Sequence, residues 1–358
     1  MADTTFASGS AQAVKIYSAL TFKESLEKTY INKFLGKKAD DTNAVIVRKD
    51  DLEKSAGELI YYDLLMAASG AGVVGDNEIE DFEEEMTYHQ DSVYIQQLRN
   101  AHSWRRMGQQ RTLHNLRTDA RANLSSWFAR KYDEYMFRYL CGDTTINHGQ
   151  SGKAPDSDHY IVCGDVSHTG TIATDEASLS NNDQIALADL DFAKEKAKNI
   201  DPMVPPLMID GEEMYIVVLH DYSATDLRLN VASSSYTTWE TIQKYAANRG
   251  KSNPLFTNSL GVYRNMILYE SNRIYSPVSN VRRNLLLGAQ AGVFAVGSAY
   301  DKVDEKAYGK LPMSWAEYSR DAGNKKGVAV GCIFGMKKCR FNSKDYGAMV
   351  LTAYAAQH

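Results

Sequence analysis

Thr112 to Gly142 reads TLHNLRTDARANLSSWFARKYDEYMFRYLCG. Leu113, Leu116, Ala120, Leu124, Trp127, Phe128, Tyr135 and Tyr139 recur at three- and four-residue spacing. Arg111, Arg117, Asp119, Arg121, Arg130 and Asp133 occupy the other faces, the pattern of an amphipathic helix. No proline or glycine interrupts Gln109–Leu140, and Cys141-Gly142 supplies a stop. The spacing predicts one helix over 107–140, about 50 Å long at ~1.5 Å per residue. A helix that long is a spine to which the rest of a domain must be fitted.

Upstream, residues 56–106 read as an extended excursion. Ile60, Tyr62 and Leu64 alternate with Leu59, Tyr61 and Asp63, and the chain then enters a small-residue run from Ala67 to Gly75. It returns through Glu78, Glu80, Asp81, Glu83, Glu84 and Glu85 into Val93 and Ile95, which alternate with Tyr94 and Gln96. Two strand-like arms around a glycine-rich acidic tip are expected. A lone two-stranded ribbon is marginal in water, so its apolar positions need cover from elsewhere in the chain or from another copy. Residues 1–55 carry only a short amphipathic piece (Leu20, Leu26, Tyr30, Phe34) and read as an arm lying on something else.

Downstream, residues 142–182 are polar and turn-rich, and Leu187–Asn199 is a second amphipathic helix. Pro202, Pro205 and Pro206 mark a boundary, and Asp210-Gly211 is a hairpin signal before the apolar run Met214–Leu219. A capping box at Thr237 and Glu240 predicts a helix to Gly250. Val262–Tyr269 and Leu285–Val296 are strand or short-helix candidates. Val328–Phe334 and Ala348–Tyr354 are closing strands, joined by Lys337, Lys338 and Arg340, read as a solvated turn. Cys332 shares a strand face with Val328, Val330 and Phe334 and reads as core.

The chemistry-bearing signals are weak. Of 358 residues, 44% are hydrophobic and 24% charged, with a net charge of −5; this argues against a protein whose main task is coating nucleic acid. The four cysteines have neither disulfide-framework nor zinc spacing. The first twelve residues lack a secretion signal, and no apolar run is long enough for a membrane span. Gly70-Ala71-Gly72-Val73-Val74-Gly75 is a literal GxGxxG, but the acidic residues that follow would repel a pyrophosphate, so it reads as a flexible tip. His148, Asp156, Asp158, His159, Cys163 and His168 hold metal-ligand side chains at no recognised spacing. Neither the acidic run nor the basic cluster Arg105, Arg106 and Arg111 forms a catalytic constellation; opposite charge suits them to meet between copies. Catalytic, cofactor and metal residues are therefore expected to be none.

Taken in order, arm, extended loop, spine, mixed region and returning strands resemble the major capsid proteins of tailed bacteriophages, which share the HK97-like fold, and most of all the podovirus type. The resemblance is carried by Gly75-Asp76-Asn77 with Ile79–Glu84, by Val93–Gln97 with Arg99 and Ala101, and by the spine from Gln110 through Asp119, Leu124, Trp127 and Asp133. Tyr215–Asp226, Asn253–Phe256 with Gly261, and Leu286–Ala291 extend it. It implies an α+β fold with five parts: an N-arm (1–55), an extended β-hairpin loop or E-loop (56–106), a peripheral domain (107–201) holding the spine helix (107–140), an axial domain (202–312), and C-terminal strands (313–358) returning to the peripheral domain. Gly75, Asp76, Glu83, Glu84, Glu85, Val93, Ile95 and Arg99 are the expected assembly contacts.

What the resemblance implies is a non-enzymatic structural subunit, forming hexamers and pentamers of an icosahedral head around double-stranded DNA. Its implied partners are further copies of itself, a portal, scaffolding or decoration proteins, and DNA bound non-specifically, with no membrane. It would reside in the virion capsid after assembly in the host cytoplasm. The alternatives are a soluble metal-dependent enzyme using the His148–His168 loop and a minor virion protein forming a single ring.

Overall fold

Lys325–Lys338 forms the long strand (β14) around which half the molecule is ordered. Val328, Val330, Cys332 and Phe334 on one of its faces are all buried, as their alternation predicts. The computed structural model describes residues 20–51, 57–65, 70, 72–75, 80, 83–163, 176–181, 183–209, 211–229, 260–297 and 313–357. The predicted helix from Thr237 and the Asn253–Phe256 motif lie outside these, as do Asp76 and His168.

Six strands make the first sheet: β1 (Leu35–Ala39), β2 (Ile46–Lys49), β5 (Gln96–Arg105), β12 (Gly292–Val296), β13 (Met313–Arg320) and β14. Strands β12 and β13 pair with successive stretches of β14, and β5 pairs antiparallel with it from Gln96↔Phe334 to Arg105↔Lys325. The residues expected as an N-terminal arm contribute β1 and β2, and β2 runs parallel to β12. The segment is too short to build a core, but Ile31, Phe34, Val45 and Ile46 are buried in the core made by the rest of the chain.

The spine is two helices, α1 (Arg106–Arg111) and α2 (Leu116–Leu140), rather than one over 107–140. Thr112 is extended, its hydroxyl accepts from the His114 N–H at 3.2 Å, and the Asn115 side chain accepts from the Thr118 N–H as the α2 cap. Such side chains compete with the helical backbone, and Leu113 is left fully exposed rather than on the buried stripe. From Leu124 onward α2 packs on the sheet: the Tyr132 ring stands edge-on to Phe334 at 4.8 Å. Asp133, wholly buried, accepts the backbone N–H groups of Tyr30 and Ile31 at 3.1 Å each, which fixes the N-terminal segment to the spine.

Seven strands make the second sheet: β6 (Tyr160–Val162), β7 (Leu207–Ile209), β8 (Glu212–Leu219), β9 (Gly261–Tyr263), β10 (Met266–Glu270), β11 (Val281–Leu287) and β17 (Ala348–Tyr354). Their order is β6-β17-β11-β8-β10-β9, with β7 on β8 as a hairpin around Gly211. Ile216, Val218, Leu285 and Val350 face the core containing α2. Tyr215, Val217, Leu286 and Leu351 face the opposite side, where α3 (Leu187–Asn199) lays Leu190, Ala193 and Ala197 and α4 (Asp221–Leu229) adds Leu227. Continuous apolar runs such as Met214–Leu219 are explained by this two-sided burial.

The two sheets do not follow the division expected at 201/202. Strand β6 and helix α3, expected with the spine, belong to the seven-stranded side. Residues 313–358 split between the sheets, because β17 is apolar on both faces and is covered only between β6 and β11. The chain passes between the sheets three times, once through the spine between β5 and β6 and twice by short crossings at 288–291 and 339–347, and the two short crossings touch. A Cβ at Gly347 would stand 2.3 Å from the Ala289 carbonyl oxygen, and one at Gly288 2.2 Å from that of Pro205. Only glycine permits that approach.

Candidate functional site

Strands β3 (Leu59–Leu65) and β4 (Tyr88–Tyr94) form an antiparallel ribbon in register Leu59↔Tyr94 to Leu65↔Tyr88. Strand alternation gives it two faces. Ile60, Tyr62 and Leu64 with Val93 form the inner face, packed with Ile95 on Val293, Ala295, Cys339, Phe341 and Tyr346 of the same chain. The Tyr62 ring stands edge-on to Phe341 at 5.9 Å. The cover that the sequence left open is thus intramolecular. Val93 and Ile95, expected as assembly contacts, are core residues of their own subunit: Val93 is wholly buried and Ile95 half-buried.

Asp91 latches this face. Its carboxylate accepts from the Tyr62 hydroxyl at 2.7 Å, from the Arg340 N–H at 3.2 Å and from the Lys337 ammonium, which also donates to the Ser92 carbonyl at 3.0 Å. Burial pushes the Tyr62 phenol well above its ordinary value, so it stays a donor. The basic turn read as solvated is in fact structural. Lys337 holds the ribbon, and Lys338, 3% exposed, donates to buried Asp345 at 2.6 Å.

The other face of the ribbon is bare. Tyr61, Leu65, Tyr88 and Tyr94 point outward with 60, 51, 58 and 40% of their surfaces exposed, and Met86 beyond them is 70% exposed. Leu65 and Tyr88 sit directly opposite one another in the ladder. Large apolar and aromatic side chains left exposed together on one face are the kind of surface that protein–protein contacts use. Sequence alternation contained this second face too, in the set Leu59, Tyr61 and Asp63, but could not say which set the subunit itself covers.

Beyond the ribbon, Gly72 and Gly75 adopt φ of +66° and +76°. Glu83, Glu84 and Glu85 are exposed, and the Glu84 carboxylate accepts from the Gly70 N–H at 2.8 Å. Arg99 is also exposed but lies on β5 opposite Gly331, away from the tip. Of the residues read together around His148, Asp156 and His159 pair, with Asp156 Oδ2 3.4 Å from His159 Nδ1, while His148 itself lies elsewhere. Its ring stacks on Phe334 at 4.4 Å, with Nε2 3.2 Å from the Phe334 carbonyl oxygen, and burial holds its imidazole below the usual value. Cys163 is buried elsewhere, among Leu190, Tyr215 and Leu351. Among the described residues no three His, Cys, Asp or Glu side chains are grouped to hold a metal, and no helix is long and apolar enough to cross a membrane.

A family model described as "Phage capsid protein" matches residues 5–357. The major capsid protein of Pseudomonas phage KPP25 is 27% identical, over 99% of this chain and 97% of its own length. Among solved structures, the capsid of Ralstonia phage GP4 is 30% identical with a TM-score of 0.77, covering 92% of each chain. The capsid of cyanophage Pam1 is 18% identical with a TM-score of 0.70, covering 93% of this chain and 94% of its own.

Proposed function

Since the chain belongs to the phage capsid protein family, we propose that the bare face and acidic tip of its ribbon clamp neighbouring copies into the hexamers and pentamers of an icosahedral head. The protein is a structural major capsid protein with the HK97-like α+β fold, located in the virion capsid. Double-stranded DNA is the cargo of such a head. A portal and scaffolding or decoration proteins are its further partners, and the host cytoplasm is where it assembles, with no reaction catalysed.

One observation carries the clamp reading: the ribbon is rigidly latched on its inner face and uncovered on its outer one. A surface fixed in place loses little conformational entropy when a partner meets it. A patch that meets a different patch on the next copy makes a heterologous contact, which closes into rings. Deleting residues 67–82 removes the loop residues between β3 and the three glutamates, keeps Glu83, Glu84 and Glu85 themselves, and leaves the β3–β4 ladder and its Asp91 latch. The expected product is a folded subunit, with unfolding close to that of the intact chain, that forms no shells by electron microscopy. Normal shells from that deletion would overturn the clamp reading.

A further inference from the structure

We propose that a groove between α1 and the β13–β14 hairpin is the socket for the acidic ribbon tip of a second copy of this chain, an inference that rests on the clamp reading above. The groove encloses about 590 Å³ and is lined by Trp104, Arg106, Gln109, Arg117, Glu317 and Lys326 among others. Its carboxylate is already matched: Glu317 accepts from the Arg117 guanidinium at 2.9 Å and from the Trp315 indole N–H at 2.9 Å. Arg106 and Lys326 make no ion pair with any described residue and are both exposed. The groove is therefore a polar concavity with surplus positive charge. On the same 106–113 segment Met107 is 57% exposed and Leu113 fully exposed. The tip presents the counterpart: Glu83, Glu84 and Glu85 between Val74, 81% exposed, and Met86, 70% exposed.

A subunit does not bring its own tip to its own groove. Strand β5 runs along β14 from Phe334 to Lys325, so the ribbon base at Tyr94 and the groove at Lys326 lie about 30 Å apart, at ~3.3 Å per residue. Going back toward the tip, β4 moves further away, because Tyr94 lies against Gly335 and Asp91 reaches Lys337 and Arg340. Tip and groove thus face opposite ends of the β4–β5 run. Only another copy, placed head to tail, brings them together, and complementary charge speeds and orients that encounter.

Charge exchange between the two sites tests this. Glu83→Lys with Glu85→Lys, and separately Arg106→Glu with Lys326→Glu, are each expected to slow assembly at low salt by about tenfold or more. The four substitutions combined are expected to restore it, and all differences should shrink as salt rises. Light scattering follows the rate, and thermal melts of unassembled subunits check folding. If the groove reversal leaves assembly unchanged while the 67–82 deletion abolishes it, the socket is wrong and the clamp stands. If neither change matters, both fall. A combined variant that stays as slow as the single-site ones also overturns the socket. Should the reversed variants misfold, a carbodiimide cross-link decides in shells grown from mixed heavy and light wild-type protein. A link from Lys326 to Glu83 or Glu85 that joins heavy to light chains supports the socket. Links confined to one isotope, or none at Lys326, overturn it.

Discussion

Arg283 shows how much a single side chain organises here. Its guanidinium meets both carboxylate oxygens of Glu176, at 2.6 and 2.9 Å, and donates to the Cys141 and Gly142 carbonyls at 3.0 and 2.9 Å. It thereby ties the C-terminal end of α2, where the helix dipole is negative, to strand β11 of the other sheet. Arg283→Ala leaves Glu176 facing a partly buried void without its cation, and loss of one partner of a buried pair costs about 3–5 kcal/mol. Denaturant unfolding of unassembled subunits measures that loss, and Arg283→Lys should recover only part of it because the bidentate geometry is gone. Burial raises the Glu176 carboxyl, but hydrogen bonds from Arg283 and Tyr160 outweigh it, so the folded value lies below the ordinary one. A depressed carboxyl contributes stability that is full above its unfolded pKa, about 4.3, and is lost as pH falls through the folded pKa. The stability gap between the intact chain and Glu176→Gln should accordingly be constant near neutrality and close below about pH 4. A gap unchanged at pH 3 would show that the pair does not titrate.

At the scale of the element, α2 changes character along its length. Its first turns bury one stripe, whereas Tyr132, Asp133, Met136, Phe137, Tyr139 and Leu140 are buried almost all round because that half enters the junction of the two sheets. Leu124→Ala is expected to cost about 2–5 kcal/mol, as buried large-to-small changes do. Leu113→Ala should stay within about 0.5 kcal/mol in the unassembled subunit, since the residue touches solvent only. Equal losses for the two in chemical denaturation would mean that the helix runs unbroken through 112–115. Periodicity alone favoured that unbroken helix. The break came from Thr112 and Asn115, whose side chains bond locally, a signal that apolar spacing does not weigh. Strand β14 was the opposite case: four alternating apolar residues placed Val328, Val330, Cys332 and Phe334 on one buried face, and burial pushes the Cys332 thiol up to about 12, as suits an inert core residue.

For the whole molecule, the bare ribbon face makes assembly and subunit stability separable. Leu65→Ser with Tyr88→Ser removes outward apolar surface, so it should barely move the melting of unassembled subunits while raising the concentration needed for shells to form. A loss of subunit stability as large as that of Leu124→Ala would mean that this face is covered within the chain. The spine stripe and the two ribbon arms were legible from sequence because they rest on local signals, the 3.6-residue stripe and period-two alternation, and the family was legible through a resemblance carried by motifs in order along the chain. The acidic tip was legible from a local signal too, as charge along a continuous stretch. Which ribbon face is bare, why Val93 and Ile95 belong to the core, where β17 goes and which cations line the groove were decided only by the fold. Each depends on residues far apart in the chain, Asp91 with Lys337, Glu176 with Arg283, Arg106 with Lys326, and one-dimensional periodicity says that a face must be covered without saying by what.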